Sequence, residues 1–168
     1  MKRIVSFFGD SSEILVDLNE KARTYAKEKG LEYVWAPQTP FNREKVIEEL
    51  QKSDAGIIDV EPYGEETFKE IGDRCKLLVR FGVGYDKVDL KAASNHGISI
   101  YRTAGANTLG VAEMAVSLIL ACRRKLQQVR TYIDTCNWQK DVVNETIGST
   151  IGIVGFGAIG QAVAKLLS

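Results

Sequence analysis

The sequence has no surplus of either charge. Its 168 residues contain 22 Lys and Arg against 22 Asp and Glu, so the formal net charge at pH 7 is +0. Binding to nucleic acid or to an anionic membrane needs a basic surface. The only compact basic cluster, Arg123 to Lys125, ends an apolar helical run, where positive charge suits the helix dipole. We therefore expect neither nucleic acid nor a membrane as partner.

Cysteines and long apolar runs are also scarce. The three cysteines are odd in number and have no metal-ligand spacing, which argues against a disulfide framework and against a metal site: Cys75, Cys122 and Cys136. The N-terminal apolar run breaks at Gly9 and is too short for a signal peptide. The longest apolar run, Leu109 to Cys122, is too short to cross a bilayer. These features favour a cytoplasmic globular protein.

What the sequence does contain is a regular alternation of β-forming runs and helical segments. The predicted strands are Ile4–Phe8, Leu31–Trp35, Ala55–Val60, Lys76–Phe81 and Ile98–Tyr101. Asn42 and Asp89 are predicted helix N-caps between them. Because the runs are continuously apolar, both faces of the strands should be covered. This predicts an α/β fold over residues 1–101: a flavodoxin-like, doubly wound parallel sheet.

The remaining residues, 102–168, read differently. A helix is predicted from Thr108 to Gln127, and its first turns are apolar nearly all round, so it should be buried in a core or between domains or subunits. A mixed, polar arm follows from Arg130 to Asn144. A strand at Ile151–Val154 and a helix at Ala158–Leu167 then form one β-α unit.

A glycine-rich turn joins this last strand and helix. Gly155, Gly157 and Gly160 have the G-x-G-x-x-G spacing in the strand-to-helix context that dinucleotide binding requires. Gly155 would allow the tight turn, Gly157 would let a pyrophosphate approach, and Gly160 would let helix and strand pack closely. The N–H groups near Ala158 and Ile159 would face the phosphates. A glycine-rich turn without a ligand is the alternative.

A second candidate site follows the fourth predicted strand. Arg80 is followed by a loop containing Gly82 and Gly84, whose exposed backbone N–H groups would form a concave anion site. Ligands of open parallel sheets bind beyond the carboxyl ends of the strands, and Arg80 could grip a carboxylate or phosphate. On spacing alone, a glycine-rich turn with Arg80 in a surface ion pair is an equal alternative.

Three motifs together resemble one family. Gly82 to Leu90 is similar to the substrate loop of the D-isomer-specific 2-hydroxyacid dehydrogenases, Asn107 to Glu113 resembles the start of their interdomain helix, and Gly152 to Gly160 resembles their cofactor loop. All three occur in the family's order and spacing. The resemblance implies a substrate-binding domain at residues 1–101 and the start of an NAD-binding domain at residues 102–168.

The resemblance also implies roles for single residues. The N–H groups of Val83 and Gly84 should hold the substrate carboxylate, with Val83 close to the nicotinamide. Arg80 matches a position that binds substrate anions in the phosphoglycerate dehydrogenase branch, which hints at a phosphorylated or dicarboxylic acid. The cofactor should contact the glycine-rich turn at Gly155, Gly157, Ala158, Ile159 and Gly160. Residues 108–144 should pack against a second subunit, as in a homodimer.

The catalytic residues implied by the resemblance are an arginine, a glutamate and a histidine of the later cofactor domain, and residues 1–168 contain none of these segments. Histidine would move the hydroxyl proton, glutamate would orient it, and arginine would polarise the carbonyl. The single histidine, His96, reads as a solvated helix-end residue. We therefore expect this chain to be inactive alone, with incomplete binding of NAD. NADP is not excluded, since the acidic residue that would distinguish the two follows roughly 20 residues after the turn.

Three interpretations remain open. The first is part of a dehydrogenase: an excised piece, the product of a broken reading frame, or half of a split enzyme. The second is a non-catalytic module that binds a small anion or forms a dimer. The third is another cofactor-dependent class, such as a relative of alanine dehydrogenase, against which Gly82 to Leu90 argues. In each case the strand Ile151–Val154 would lack sheet neighbours, so it should pair with another chain, dock irregularly or be mobile.

Overall fold

The computed structural model describes residues 1–10 and 12–168, and these form two compact units, Met1–Ala106 and Asn107–Ser168. Each unit has its own packing and is described separately below. Among the described residues, the helices are all too short or too polar to cross a membrane.

The first unit contains one parallel sheet. Its strands are β1 (Arg3–Ser6), β2 (Glu32–Trp35), β3 (Ala55–Ile58), β4 (Leu77–Arg80) and β5 (Ser99–Arg102). Their spatial order is β2-β1-β3-β4-β5, with every neighbouring pair parallel. This is the flavodoxin-like doubly wound order. The predicted fold class is confirmed, and each of the five strands predicted within residues 1–101 is present at nearly its predicted place.

Four helices connect the strands: α1 (Glu13–Glu28), α2 (Arg43–Gln51), α3 (Glu65–Ile71) and α4 (Leu90–Asn95). Both predicted caps form, since the Asn42 side chain accepts a hydrogen bond from the Lys45 N–H and that of Asp89 accepts one from the Ala92 N–H. Each cap satisfies a backbone donor that the first helical turn leaves without a partner.

The core lies where α2, α3 and α4 meet one face of the sheet. Val5, Gly56 and Leu78 are in register on this face, and the buried cluster continues into the helices and loops: Phe7, Val46, Leu50, Ile58, Tyr63, Phe68, Ile71, Cys75, Val88, Ala92, Ala93 and Ile98. The opposite face is covered by α1 beside β2, but Tyr101 on β5 is 63% exposed. The expectation that both faces would be covered is therefore met only in part.

The second unit contains three helices, α5 (Thr108–Arg123), α6 (Leu126–Asp134) and α7 (Ala158–Leu167), and α5 packs against α7. The predicted helix to Gln127 is wrong as one continuous element. Lys125 adopts a left-handed backbone with φ of 51°, which interrupts the helical hydrogen bonds between α5 and α6. The predicted arm from Arg130 is helical up to Asp134.

The predicted strand Ile151–Val154 is not formed. None of its four residues lies in a β-strand, and none pairs with another described residue in a sheet. The physical reason is that an isolated strand gains no inter-strand hydrogen bonds and so has little to hold it in that conformation. The helix that was predicted to follow it is present as α7, so half of the predicted β-α unit forms.

Candidate functional site

The loop after β4 lines a cavity at the carboxyl edge of the sheet. The cavity has a volume of about 250 Å³ and lies between the ends of β3 and β4; its walls are formed by Asp59, Val60, Glu61, Arg80, Gly84, Tyr85, Asp86, Lys87 and Val88. This edge is where ligands of open parallel sheets bind. Arg80 and Gly84, two of the predicted substrate-binding residues, line the same cavity, whereas Val83 lies beside it in the chain and is not among the lining residues.

The backbone N–H groups of Val83 and Gly84 are free. Within the part of the chain that the structure describes, neither N–H donates a hydrogen bond, and Gly84 is exposed while Val83 is half-buried. Buried or half-buried amide donors are normally paired, so donors left free at a cavity rim can receive an external acceptor. The arrangement fits a small anion such as a carboxylate.

The loop that carries these amides is held on both flanks. The Gly82 N–H donates to the Thr103 Oγ1 at 3.1 Å, and the Thr103 N–H donates back to the Gly82 carbonyl at 3.1 Å. The Phe81 ring stacks on Phe8 with ring centroids 3.9 Å apart. Arg102 Nη1 donates to the Val83 carbonyl at 3.0 Å. The loop is therefore fixed to the end of β5 and to the segment after β1.

Arg80 is engaged within the protein. Its Nη1 lies 3.3 Å from Asp59 Oδ1, and the same nitrogen donates to the Phe81 carbonyl. The guanidinium lies against Gly82, where a Cβ would be 2.9 Å from Nη1 and would displace the Arg80 side chain; the Gly82 φ of 145° itself disfavours any side chain there. The residue lines the cavity, and its charge is paired with a carboxylate.

The pKa of the Tyr63 hydroxyl reflects the charges that surround it. Burial raises the pKa of the Tyr63 hydroxyl, and the nearby charges of Glu61 and Asp59 raise that pKa further, while Arg80 lowers it. The hydroxyl is buried and has no hydrogen-bond partner among the described residues. The balance of these influences indicates that carboxylates outweigh the arginine at this position.

In the second unit, the backbone conformation and the packing of the glycine-rich turn require glycine at two positions. Gly155 has φ of 90°, a conformation that side chains rarely adopt. A Cβ on Gly160 would lie 2.3 Å from the Gly155 carbonyl oxygen, so only glycine lets α7 begin this close to the preceding turn. The turn therefore folds tightly even though the predicted strand before it does not form.

Neither the backbone conformation nor the packing requires a glycine at Gly157. Its φ is −77° and a Cβ there would meet no atom within 4 Å. The position precedes Ala158 and Ile159, both exposed at the start of α7, and Gly157 supplies no side-chain cap for their N–H groups. Open space at the positive end of a helix fits the approach of a phosphate, so the residues present fit a dinucleotide pyrophosphate here.

Sequence reasoning missed the side chains that surround the loop carrying the Val83 and Gly84 amides. Asp59 follows β3, while Arg102 ends β5 and Thr103 follows it. The signal was available, because neighbouring parallel strands bring their carboxyl ends to one edge of the sheet. His96 caps the C-terminus of α4, as predicted, but its side chain is half-buried rather than solvated, with Nε2 2.7 Å from Glu65 Oε1. Among the described residues, no group of three or more His, Cys, Asp or Glu could hold a metal ion.

Comparison with known proteins found one matching family model and several similar relatives. The sequence model of the D-isomer-specific 2-hydroxyacid dehydrogenase catalytic domain matches residues 13–161. The D-3-phosphoglycerate dehydrogenase of Archaeoglobus fulgidus is 32% identical over 150 residues, which are 88% of this chain and 28% of the relative. The glyoxylate reductase of Thermococcus onnurineus is 31% identical over 141 residues, covering 79% of this chain and 42% of the relative.

A solved structure agrees with these sequence matches. The NAD-dependent formate dehydrogenase of Staphylococcus aureus, determined in complex with NAD, superposes with a TM-score of 0.83 at 29% identity and covers 98% of this chain and 53% of that one. The chain thus spans about half of this solved structure and less than half of the two curated relatives described above.

Proposed function

This chain belongs to the D-isomer-specific 2-hydroxyacid dehydrogenase family, and on that premise we propose that it is the substrate-side part of an enzyme that transfers a hydride between NAD(H) and a small 2-hydroxy or 2-oxo acid. In this proposal residues 1–101 are the substrate-binding domain, and residues 102–168 begin the NAD-binding domain. NADP remains an alternative cofactor, and the cytoplasm is the expected location.

The observation that carries the proposal is the pair of free N–H groups on Val83 and Gly84. Neither N–H donates a hydrogen bond within the described part of the chain; Gly84 lines the cavity at the carboxyl edge of the sheet, Val83 precedes it, and the loop that carries both is held from both sides. Had these groups been buried and paired with backbone carbonyls, no anion could bind there. Fixed donors of this kind bind a carboxylate without a cost of reorganisation when the ligand arrives.

The glycine-rich turn supplies the second part of the proposal. The nicotinamide cofactor, when bound, accepts or supplies the hydride. The part of this chain is to hold the pyrophosphate with the N–H groups of Ala158 and Ile159, over the space that Gly157 leaves open. Gly155 and Gly160 keep the turn in the required conformation. The fit of Gly157 supports this role, since nothing inside the unit requires a glycine there.

We propose that residues 1–168 alone bind the acid weakly and bind a dinucleotide little or not at all. They should not catalyse the hydride transfer. The arginine, glutamate and histidine that family resemblance implies for proton transfer and carbonyl polarisation have no counterpart among these residues. The same polypeptide acting as a non-catalytic anion-binding or dimerisation module is the second candidate.

A homodimer through residues 108–144 forms part of the proposal. On α5, large apolar side chains are exposed in the isolated chain, including Leu109, Met114 and Leu118. In the proposed homodimer, the second subunit would cover these side chains. The measurement is analytical ultracentrifugation over a concentration series.

The function is tested by titrating ¹⁵N-labelled residues 1–168 with pyruvate and, separately, with NADH. The expected result is saturable shifts of the Val83 and Gly84 amide signals with pyruvate and little change with NADH. Shifts confined to other regions would contradict the acid site. Oxidation of a 2-hydroxy acid by residues 1–168 with NAD would contradict their proposed inactivity. Activity on mixing residues 1–168 with the complementary half of a related enzyme would argue against the non-catalytic module.

A further inference from the structure

We propose that Asp59 determines the substrate class of this site: by holding Arg80 in an internal ion pair, it directs the site toward acids with a single carboxylate and an uncharged remainder. This inference rests on the proposed function. It reverses the simplest expectation from Arg80 alone, which is a phosphorylated or dicarboxylic substrate.

The first argument is the geometry of the pair. Arg80 Nη1 lies 3.3 Å from Asp59 Oδ1, and the two side chains are only 12% and 26% exposed. Ion pairs shielded from water to this degree are weakened less by solvent and salt than pairs on the open surface. The same Nη1 donates to the Phe81 carbonyl, so one nitrogen serves both the carboxylate and the loop backbone.

The second argument is the position of the guanidinium. It lies against Gly82, close enough that a Cβ there would be 2.9 Å from Nη1, 3.2 Å from Cζ and 3.3 Å from Nη2. Gly82 immediately precedes Val83, whose amide is part of the proposed carboxylate site. Arg80 therefore supports the loop from within the structure. A substrate anion could use Arg80 fully only by competing with Asp59.

The third argument is the charge of the cavity wall. Three carboxylates, Asp59, Glu61 and Asp86, line it together with two cations, Arg80 and Lys87. Once Arg80 is paired with Asp59, the remaining lining charges favour negative potential. Burial is the main cause that raises the pKa of the Tyr63 hydroxyl, and beside it the charges of Glu61 and Asp59 outweigh that of Arg80, which agrees with this sign of the potential. A second anionic group on a substrate would meet like charge here.

These observations define the recognition. One carboxylate binds the amides of Val83 and Gly84, and the rest of the acid enters a cavity of about 250 Å³ whose only well-shielded cation is already neutralised. A phosphate or second carboxylate would need to break the Arg80–Asp59 pair or lie near Glu61 and Asp86. Specificity of this kind comes from a repulsive element as much as from an attractive one.

The test compares ligands in the wild-type protein and in Asp59→Asn. Residues 1–168 labelled with ¹⁵N are titrated with pyruvate, 2-oxoglutarate and 3-phosphoglycerate, and the dissociation constants are obtained from the Val83 and Gly84 amide shifts. The wild-type protein should bind pyruvate more tightly than the two ligands that carry a second anionic group. Asp59→Asn should tighten binding of 2-oxoglutarate and 3-phosphoglycerate roughly tenfold, as expected for a released charge-assisted contact, and change pyruvate binding by less than about twofold.

Asp86→Asn is the matched control, because it removes the same charge from the same cavity without touching Arg80. It should remove like-charge repulsion without releasing Arg80, so it should shift the ratio of affinities toward 2-oxoglutarate and 3-phosphoglycerate clearly less than Asp59→Asn does. The double variant Asp59→Asn with Arg80→Met should lose the gain in affinity for 2-oxoglutarate and 3-phosphoglycerate. General damage to the loop would weaken every ligand, so the ratio of affinities separates specificity from structure.

The outcomes distinguish the two proposals. If pyruvate shifts the two amides but Asp59→Asn leaves the ratio of affinities unchanged, or changes it no more than Asp86→Asn does, the inference about Asp59 is wrong and the acid site stands. Preference of the wild-type protein for 2-oxoglutarate or 3-phosphoglycerate also overturns it. If none of the three acids shifts either amide in a folded protein, the proposed function itself fails, and the inference fails with it.

Discussion

The guanidinium of Arg102 lies 4.9 Å from the centroid of the Tyr85 ring. Arg102 ends β5, and Tyr85 belongs to the loop that follows β4, so the contact joins the ends of two neighbouring strands. The same arginine donates from Nη1 to the Val83 carbonyl at 3.0 Å. Arg102 thus fixes both the backbone that carries the free amides and a ring on the cavity wall.

Replacing Arg102 with alanine should loosen this loop without unfolding the domain. Exposed cation–π contacts contribute about 0.5–1 kcal/mol, so the affinity for pyruvate should fall roughly two- to fivefold. The measurement is a pyruvate titration followed through amide shifts, together with relaxation dispersion at residues 82–86.

Two variants test this interpretation of Arg102. Arg102→Lys keeps the charge but loses the planar group, so it should recover only part of the affinity. Arg23→Ala, which removes an exposed arginine of α1 far from β4 in sequence, should leave the titration unchanged. Equal losses in Arg102→Ala and Arg23→Ala would mean that the contact with Tyr85 contributes nothing specific.

Alanine substitutions at Gly160 and Gly157 should have different effects, the first on stability and the second on cofactor binding. Gly160→Ala places a Cβ 2.3 Å from the Gly155 carbonyl oxygen, so the turn or α7 must shift. Overpacking of this kind costs about 1–3 kcal/mol. Gly157→Ala meets no atom within 4 Å and should leave the unfolding free energy within about 0.5 kcal/mol of wild type. Chemical denaturation followed by far-UV circular dichroism measures both values.

The outcome for the glycine pair is informative in either direction. Equal stability of Gly160→Ala and Gly157→Ala would contradict the close approach of α7 to the turn. In a longer protein with a complete cofactor domain, Gly157→Ala should weaken NADH binding while keeping this stability, since the added methyl group occupies the space proposed for the pyrophosphate.

The sheet could be predicted from the sequence, but the side-chain pairing on the cavity wall could not. Continuous apolar runs and the caps at Asn42 and Asp89 predict strands and helices because they reflect local preferences that the packed structure preserves. The pair of Asp59 and Arg80 depends on strand order, which brings together residues 21 positions apart in the chain. That order could be inferred, but the direction of the Arg80 side chain depends on packing against Gly82.

The errors in the second unit have a different cause. The break at Lys125 requires a left-handed residue, and lysine gives no sequence signal for that conformation. The strand Ile151–Val154 was predicted from its β-forming composition, yet strand formation depends on neighbours, and none is present among the described residues. Composition gives the tendency of a segment, and tertiary pairing decides whether it is realised.

Acid should destabilise the first unit in part through Glu49. The hydrogen bond from Arg3, whose Nη2 lies 2.6 Å from Glu49 Oε2, is the main cause that lowers the pKa of this carboxyl below its ordinary value of 4.5. The unfolded chain therefore binds the proton more readily than the folded one. The stabilisation is present above about pH 4.5 and is lost as the pH falls through the lower folded pKa. Asp54, whose pKa is lowered mainly by the Arg3 backbone N–H, acts in the same direction.

The measurement is the urea midpoint between pH 6 and pH 3 for the wild-type protein and for Glu49→Gln. The variant should be less stable at pH 6 and should lose less stability on acidification. Glu48→Gln is the control, because Glu48 pairs with Lys52 on the surface and makes no contact with Arg3. Parallel curves for the wild-type protein and Glu49→Gln would show that the Arg3–Glu49 pair does not contribute to the pH dependence.

The segment Ile151–Val154 should exchange its amide hydrogens rapidly in a monomer. It forms no ladder with any described residue, Gly152 and Val154 are exposed, and Ile151 and Ile153 are only half-buried, so its amides have little protection. In a concentration series, protection at Ile151–Val154 should increase only if a second chain pairs with the segment, and protection along α5 should increase if the proposed dimer forms. Strong protection of this segment in a verified monomer would mean that it docks within its own chain, and the unpaired-strand interpretation would be wrong.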